Sequence, residues 1–160
     1  MGFSPIHRRL KVEGVVYCPP SSYDITTFSV GDTISFSSAV DLLGSTASGY
    51  SFASGEITLP SGHWYLVKGA PQVRFADRAG EYRYEWQTSG GTSLGRRGTL
   101  LMQEEPKLFG GDELAVCLID ATSAAQTIKL VILSASNITS LNSTVYPTYN
   151  GNTRAEIWKL

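Results

Sequence analysis

Between residues 81 and 87 the chain alternates without a break. Tyr82, Tyr84 and Trp86 fall on one side, and Glu81, Arg83, Glu85 and Gln87 on the other. Successive side chains of a β-strand point to opposite faces, and aromatic residues fit a pleated, half-buried surface, so this period-2 pattern selects an antiparallel sheet. The residues upstream agree. Ile57 and Leu59 lead into Pro60-Ser61-Gly62, whose Pro and Gly suit a tight reversal, and Trp64 to Val67 then form a strand largely apolar on both faces. Val73 and Phe75 flank Arg74, and Asp77-Arg78-Ala79-Gly80 is a second turn.

The rest of the chain supplies more short strands and no long helix. Val15-Val16-Tyr17 is an apolar patch that ends at Cys18-Pro19-Pro20, because two prolines remove two ladder donors. Residues 1–20 are therefore expected as an arm plus a strand, and residues 21–160 as the main domain. Thr33 to Phe36 and Tyr50 to Phe52 are short strands, and Val40-Asp41-Leu42-Leu43 has room for one helical turn. Ser89-Gly90-Gly91 is a turn, and Gly95-Arg96-Arg97-Gly98 enters a strand at Thr99 to Met102. Leu114, Val116 and Leu118 alternate with Ala115, Cys117 and Ile119, so that strand is apolar on both faces. Ile128 to Leu133 has the same character, broken by Lys129. Tyr149-Asn150-Gly151 is a hairpin turn before a last strand, which puts Ala155 and Ile157 on one face and Trp158 and Leu160 on the other. About ten short strands at this spacing imply an all-β, antiparallel jelly-roll β-sandwich.

Strands apolar on both faces need more cover than one sandwich core provides, and an identical subunit is the obvious source. A homotrimer is expected, with Leu114, Val116, Leu118, Ile128, Leu130, Ile132 and Trp158 as its interface. His7, Arg8, Arg9 and Lys11 are the compact basic cluster of the arm; they are either a solvated strand end or a docking element for an acidic partner.

Composition narrows the partners. With 13 basic and 14 acidic residues the chain has no global field to draw it to nucleic acid or an anionic membrane. No apolar run approaches the roughly 18 residues of a membrane span. The N-terminus lacks an apolar signal region, and Arg8-Arg9 interrupt it, so synthesis and retention in a reducing cytoplasm are expected. Cys18 and Cys117 are then buried thiols rather than a disulfide.

Leu108-Phe109-Gly110-Gly111-Asp112-Glu113-Leu114-Ala115-Val116 resembles the C1q and tumour-necrosis-factor-like jelly rolls, in which a leucine and a Gly-Asp pair precede an alternating strand. Residues 55–66 are similar to the aromatic strand that follows a Pro/Gly turn in the same families, and the likeness covers residues 33–160 as a pattern of elements. At the C-terminus Ala155-Glu156-Ile157-Trp158-Lys159-Leu160 looks instead like the closing strand of small trimeric virion proteins of tailed bacteriophages. What this resemblance implies is a virion structural protein on the outer surface of the capsid, a decoration or cement protein whose partner is the major capsid protein. The alternative it carries is a receptor-binding knob of a head or tail fibre that recognises a host glycan. Residues 1–20 are too short for the stalk such a knob usually follows.

Enzymatic chemistry finds no foothold. The two histidines, His7 and His63, are far apart, and no Cys/His pair has zinc spacing. No phosphate-binding glycine loop occurs. Glu104, Glu105, Asp112 and Glu113 read as a solvated acidic loop ahead of a Ca²⁺ site. The Tyr82–Trp86 stripe is core ahead of a stacking platform for sugars or bases. Arg96-Arg97 is either an ordinary charged turn or a contact to a neighbouring subunit's acid. No catalytic residue, metal or cofactor is expected.

Overall fold

The structure, a computed structural model, describes residues 12–18, 30–41, 43, 45–70, 80–102, 113–136 and 154–160. Among them run eleven strands: β1 (Gly14–Cys18), β2 (Thr33–Ile34), β3 (Val40–Asp41), β4 (Ser51–Ala53), β5 (Glu56–Leu59), β6 (Trp64–Ala70), β7 (Gly80–Thr88), β8 (Ser93–Met102), β9 (Ala115–Asp120), β10 (Gln126–Ser136) and β11 (Arg154–Lys159). Hydrogen bonds join them in the order β3-β1-β11-β6-β9-β8-β7-β10-β5-β4, with β2 also on β10 and every pairing antiparallel. The path curls until its first five strands face its last five. Consecutive strands mostly change sheet, from β1 to β2, β5 to β6 and β8 to β9, which makes the molecule an antiparallel jelly-roll sandwich.

The aromatic stripe is where the two sheets meet. Tyr84 and Trp86 are fully buried and point inward from β7; the side chain of Tyr82 lies outside the described set. The Trp86 indole stacks on Phe36 at 6.2 Å and donates from Nε1 to the Ala115 carbonyl of the facing sheet at 3.2 Å. Tyr84 Oη donates to the Glu113 carbonyl at 2.6 Å. Room for the indole comes from Gly69 on β6: a Cβ there would sit 2.6 Å from the ring. Phenol and indole thus bury their apolar bodies while each polar tip finds a backbone acceptor.

β8 holds the sandwich together along one edge. Tyr84 pairs with Gly98 and Trp86 with Leu94, so β8 bulges at Gly95-Arg96-Arg97. There Arg96 pairs with Val116 of β9, and Thr99 bridges Glu113. Gly95 has φ of 65°, and a Cβ on it would collide with the Val116 carbonyl oxygen, so only glycine fits the crossing. The Arg-Arg turn expected before a strand at Thr99 is therefore the bend within one strand.

Three further expectations change. Pro60 to His63 does not reverse the chain within a sheet; it carries it from β5 in one sheet to β6 in the other, fixed by Tyr65 Oη donating to the Pro60 carbonyl and Gly62 N–H to the Ala121 carbonyl. Val40-Asp41 is a strand rather than a helical turn, because Asp41 Oδ1 accepts from the N–H groups of Leu43 and Ser45 and closes a turn instead. The strand at 14–18 belongs to the sandwich: β1 lies between β11 and β3, with Val16 and Cys18 in the core. The division expected at residue 20 therefore falls after a core strand. The turns at Asp77-Gly80 and Asn150-Gly151 lie wholly or mostly outside the described residues.

Cys18 and Cys117 are free and buried. Strands β11 and β6 stand between theirs, a separation of about 14 Å at about 4.8 Å per strand, far beyond disulfide reach. Burial pushes both thiols up to about 12.

Candidate assembly face

The two outer faces of the sandwich differ in chemistry. On the sheet formed by β1, β11, β6 and β9, strand register aligns Val15 with Trp158, Trp158 with Leu66 and Leu66 with Leu118. The result is an apolar row across four strands, about 14 Å from end to end at ordinary strand spacing. None of these side chains points into the core, and Leu118 is 53% exposed. Leu114 and Val116 extend the apolar surface along β9, while Trp64 and Leu160 border it at one end, joined by the Leu160 N–H bond to the Trp64 carbonyl.

A polar row runs beside the apolar one. Tyr17 pairs with Glu156, Glu156 with Lys68, and Lys68 with Val116. Lys68 Nζ lies 4.5 Å from the centre of the Trp158 ring, and Trp158 Nε1 donates to Glu156 Oε2 at 3.4 Å. The indole is thereby held by an ammonium at its ring and a carboxylate at its N–H. At the rim Glu13 lies 3.4 Å from His63 Nδ1 and 3.6 Å from Lys159 Nζ.

The other outer face is polar. Thr58 bonds Thr127 at 3.0 Å, and Lys129 Nζ donates to the Ser89 carbonyl. At its centre Glu85 is 3% exposed, accepting from Ser93 Oγ, from Gln87 Nε2 at 2.9 Å and from Arg97 Nε at 2.8 Å. Burial alone would raise its carboxyl, but those hydrogen bonds and the Arg97 charge outweigh it and hold the group below the usual carboxylate range. A lowered carboxylate contributes stability that is present above its unfolded value of about 4.3 and is lost as pH falls through the folded one. Glu85→Gln should therefore flatten the acid limb of a stability-against-pH curve from urea titrations. An unchanged limb would mean that Glu85 titrates alike in both states.

Of the residues expected at a subunit interface, Leu114, Val116, Leu118 and Trp158 stand together on the apolar face. Ile128, Leu130 and Ile132 do not: they are at most 1% exposed and pack inside the chain's own core, which corrects their assignment. β10 is apolar on both sides because Val131, on its outer side, is itself buried between Thr33 and Glu85 in register. Leu66 and Val15 also belong to the face; they come from the apolar stretches Trp64–Val67 and Val15–Tyr17, in which apolar neighbours on both parities hide the outward side.

His7, Arg8, Arg9 and Lys11 lie outside the described residues, as do Glu104, Glu105 and Asp112. Glu113 accepts from Arg96 at 2.6 Å and Glu85 from Arg97 at 2.8 Å, so both arginines of the pair meet acids of their own chain. His63 is partly exposed and meets Tyr65 edge-on at 6.2 Å. Among the described residues no three His, Cys, Asp or Glu side chains gather as a metal site, and no helix is long and apolar enough to cross a membrane. No protein-family model matches the chain, and no curated protein matches it in sequence.

Proposed function

We propose that this protein is a structural component of a bacteriophage virion, a jelly-roll homotrimer that decorates the outer surface of the mature head. The observation that carries self-association is the row Val15–Trp158–Leu66–Leu118, an apolar surface crossing four strands of one sheet while the opposite face is polar. Large apolar patches on soluble domains mark contact surfaces. The virion setting rests on the resemblance of the closing strand, Ala155 to Leu160, to small phage proteins of this fold.

A decoration protein works by mass action. A trimer that binds only the assembled lattice of the major capsid protein stabilises that lattice by its binding free energy, and three attachment points make weak contacts multivalent. His7, Arg8, Arg9 and Lys11 are the attachment residues, held through charge and weakened by salt. Because β1 begins at Gly14, the truncation that isolates this role removes residues 1–11 and leaves every core strand in place.

The test is twofold. Sedimentation of the purified protein should give three times the chain mass, and the protein should occupy capsids stripped of their decoration, the truncated form failing to do so. A monomer at all concentrations sinks the trimer. A trimer that ignores capsids and binds host-cell glycan would place it on a fibre as a receptor knob.

A further inference from the structure

The apolar row explains why copies would adhere but not how they find one alignment. Hydrophobic contact is non-directional, and neighbouring positions along the same strands offer Val116, Trp64 and Leu160 as alternative apolar partners. We propose that Lys68 and Glu156 set the register in which copies of this chain pack, each Lys68 meeting Glu156 of the partner subunit. The inference rests on the self-association proposed above.

Three features of the face point to this pair and to a second copy as the occupant. Lys68 and Glu156 lie directly opposite each other on β6 and β11, the two central strands of the apolar surface, and not on its rim. Any partner that covers Leu66 and Trp158 must also cover them. Both are intermediate in exposure, Lys68 lies over the Trp158 ring, Glu156 accepts from Trp158 Nε1, and the two stand opposite each other in register, so covering them encloses one charge of each sign together. The centre of the face presents one cation and one anion side by side. A strongly charged partner would find half of that repulsive, whereas another copy brings the same two charges and, turned about the symmetry axis, sets each against its opposite. A slipped alignment places Lys68 or Glu156 against leucine or valine and strands a desolvated charge, which is how a buried polar pair selects one packing among several apolar ones.

Charge reversal in the full-length chain tests it, read by sedimentation over a concentration series with circular dichroism confirming the fold. Lys68→Glu alone and Glu156→Lys alone should each weaken association by about 100-fold or more, as like charges meet at the centre of the contact. The double variant should recover most of the loss. Mixing the two single variants should give assemblies at concentrations where neither forms them alone, an outcome that requires the pairing to run between chains. Should Lys68→Glu unfold, Lys68→Gln serves in its place, with an expected loss of about 10-fold. Wild-type association in the single variants, or no rescue on mixing, overturns the inference. If Leu118→Asp still dissociates the assembly in that case, self-association through the face stands and only the register device falls. A wild-type chain that never associates removes both.

Discussion

Replacing Trp86 with alanine should lower the unfolding free energy by about 3–5 kcal/mol, the range for deleting a large aromatic from a packed core. Trp86 has no solvent exposure, stacks on Phe36 and donates its indole N–H to the opposite sheet, so its loss opens a cavity and breaks a contact between the sheets together. For a chain of this length the midpoint of thermal unfolding should fall by about 6–20 °C. Urea titration at one fixed protein concentration is the measurement, since any assembly makes apparent stability depend on concentration.

Gly69 supplies the internal control. In the wild-type chain Gly69→Val forces a branched side chain against the indole, and overpacking of this kind costs about 1–3 kcal/mol. In the Trp86→Ala background the same valine enters the space that the ring has left. The double variant should thus be less destabilised than the sum of the single ones, with a coupling of about 0.5–3 kcal/mol. Strict additivity would show that Gly69 and Trp86 do not share one packing site and that the sheets meet elsewhere.

How much of this was legible in the sequence depended on whether a residue's role was local. The inward direction of Tyr84 and Trp86 followed from alternation with charged neighbours, which leaves one parity free to be buried. In Ile128–Leu133 both parities are apolar, so alternation is silent about which side faces the core. That choice is made by the partner strands, β5 and β2 on one side and β7 on the other. β9 posed the same problem and resolved differently, with Leu118 outward and Cys117 inward. The prolines after Cys18 correctly mark the end of a strand, but nothing local says that β11, more than a hundred residues away, will pair with it. Pro60-Ser61-Gly62 is a turn in both views; whether it reverses within a sheet or crosses between sheets is decided by Ala121, whose backbone it meets. The apolar row is the clearest case. Its four residues come from four separate segments, and only the register of three strand pairs brings them into line.

The largest effect on assembly is expected from Leu118→Asp. Leu118 ends the apolar row and is 53% exposed in the single chain, so an aspartate there remains solvated in the monomer and should change its stability little, within about 1 kcal/mol given the poorer strand propensity of Asp. In an assembly covering the row, the same substitution removes the burial of the exposed half of a leucine, about 0.8–1.5 kcal/mol for each copy, and forces a carboxylate out of water into an apolar contact. Dissociation should therefore increase by more than about 100-fold, and sedimentation should show a folded monomer where the wild-type chain is associated. Leu118→Thr separates the two effects: it keeps a strand-forming residue, places no charge, and should weaken association less. Lys129→Asp fixes the location, because Lys129 lies on the opposite, polar face and its variant should retain the wild-type mass. Dissociation by Lys129→Asp with full assembly in Leu118→Asp would move the contact to the other sheet. Full assembly in both would leave the row Val15–Trp158–Leu66–Leu118 open to solvent and require a face built from the loops or edges of the sandwich.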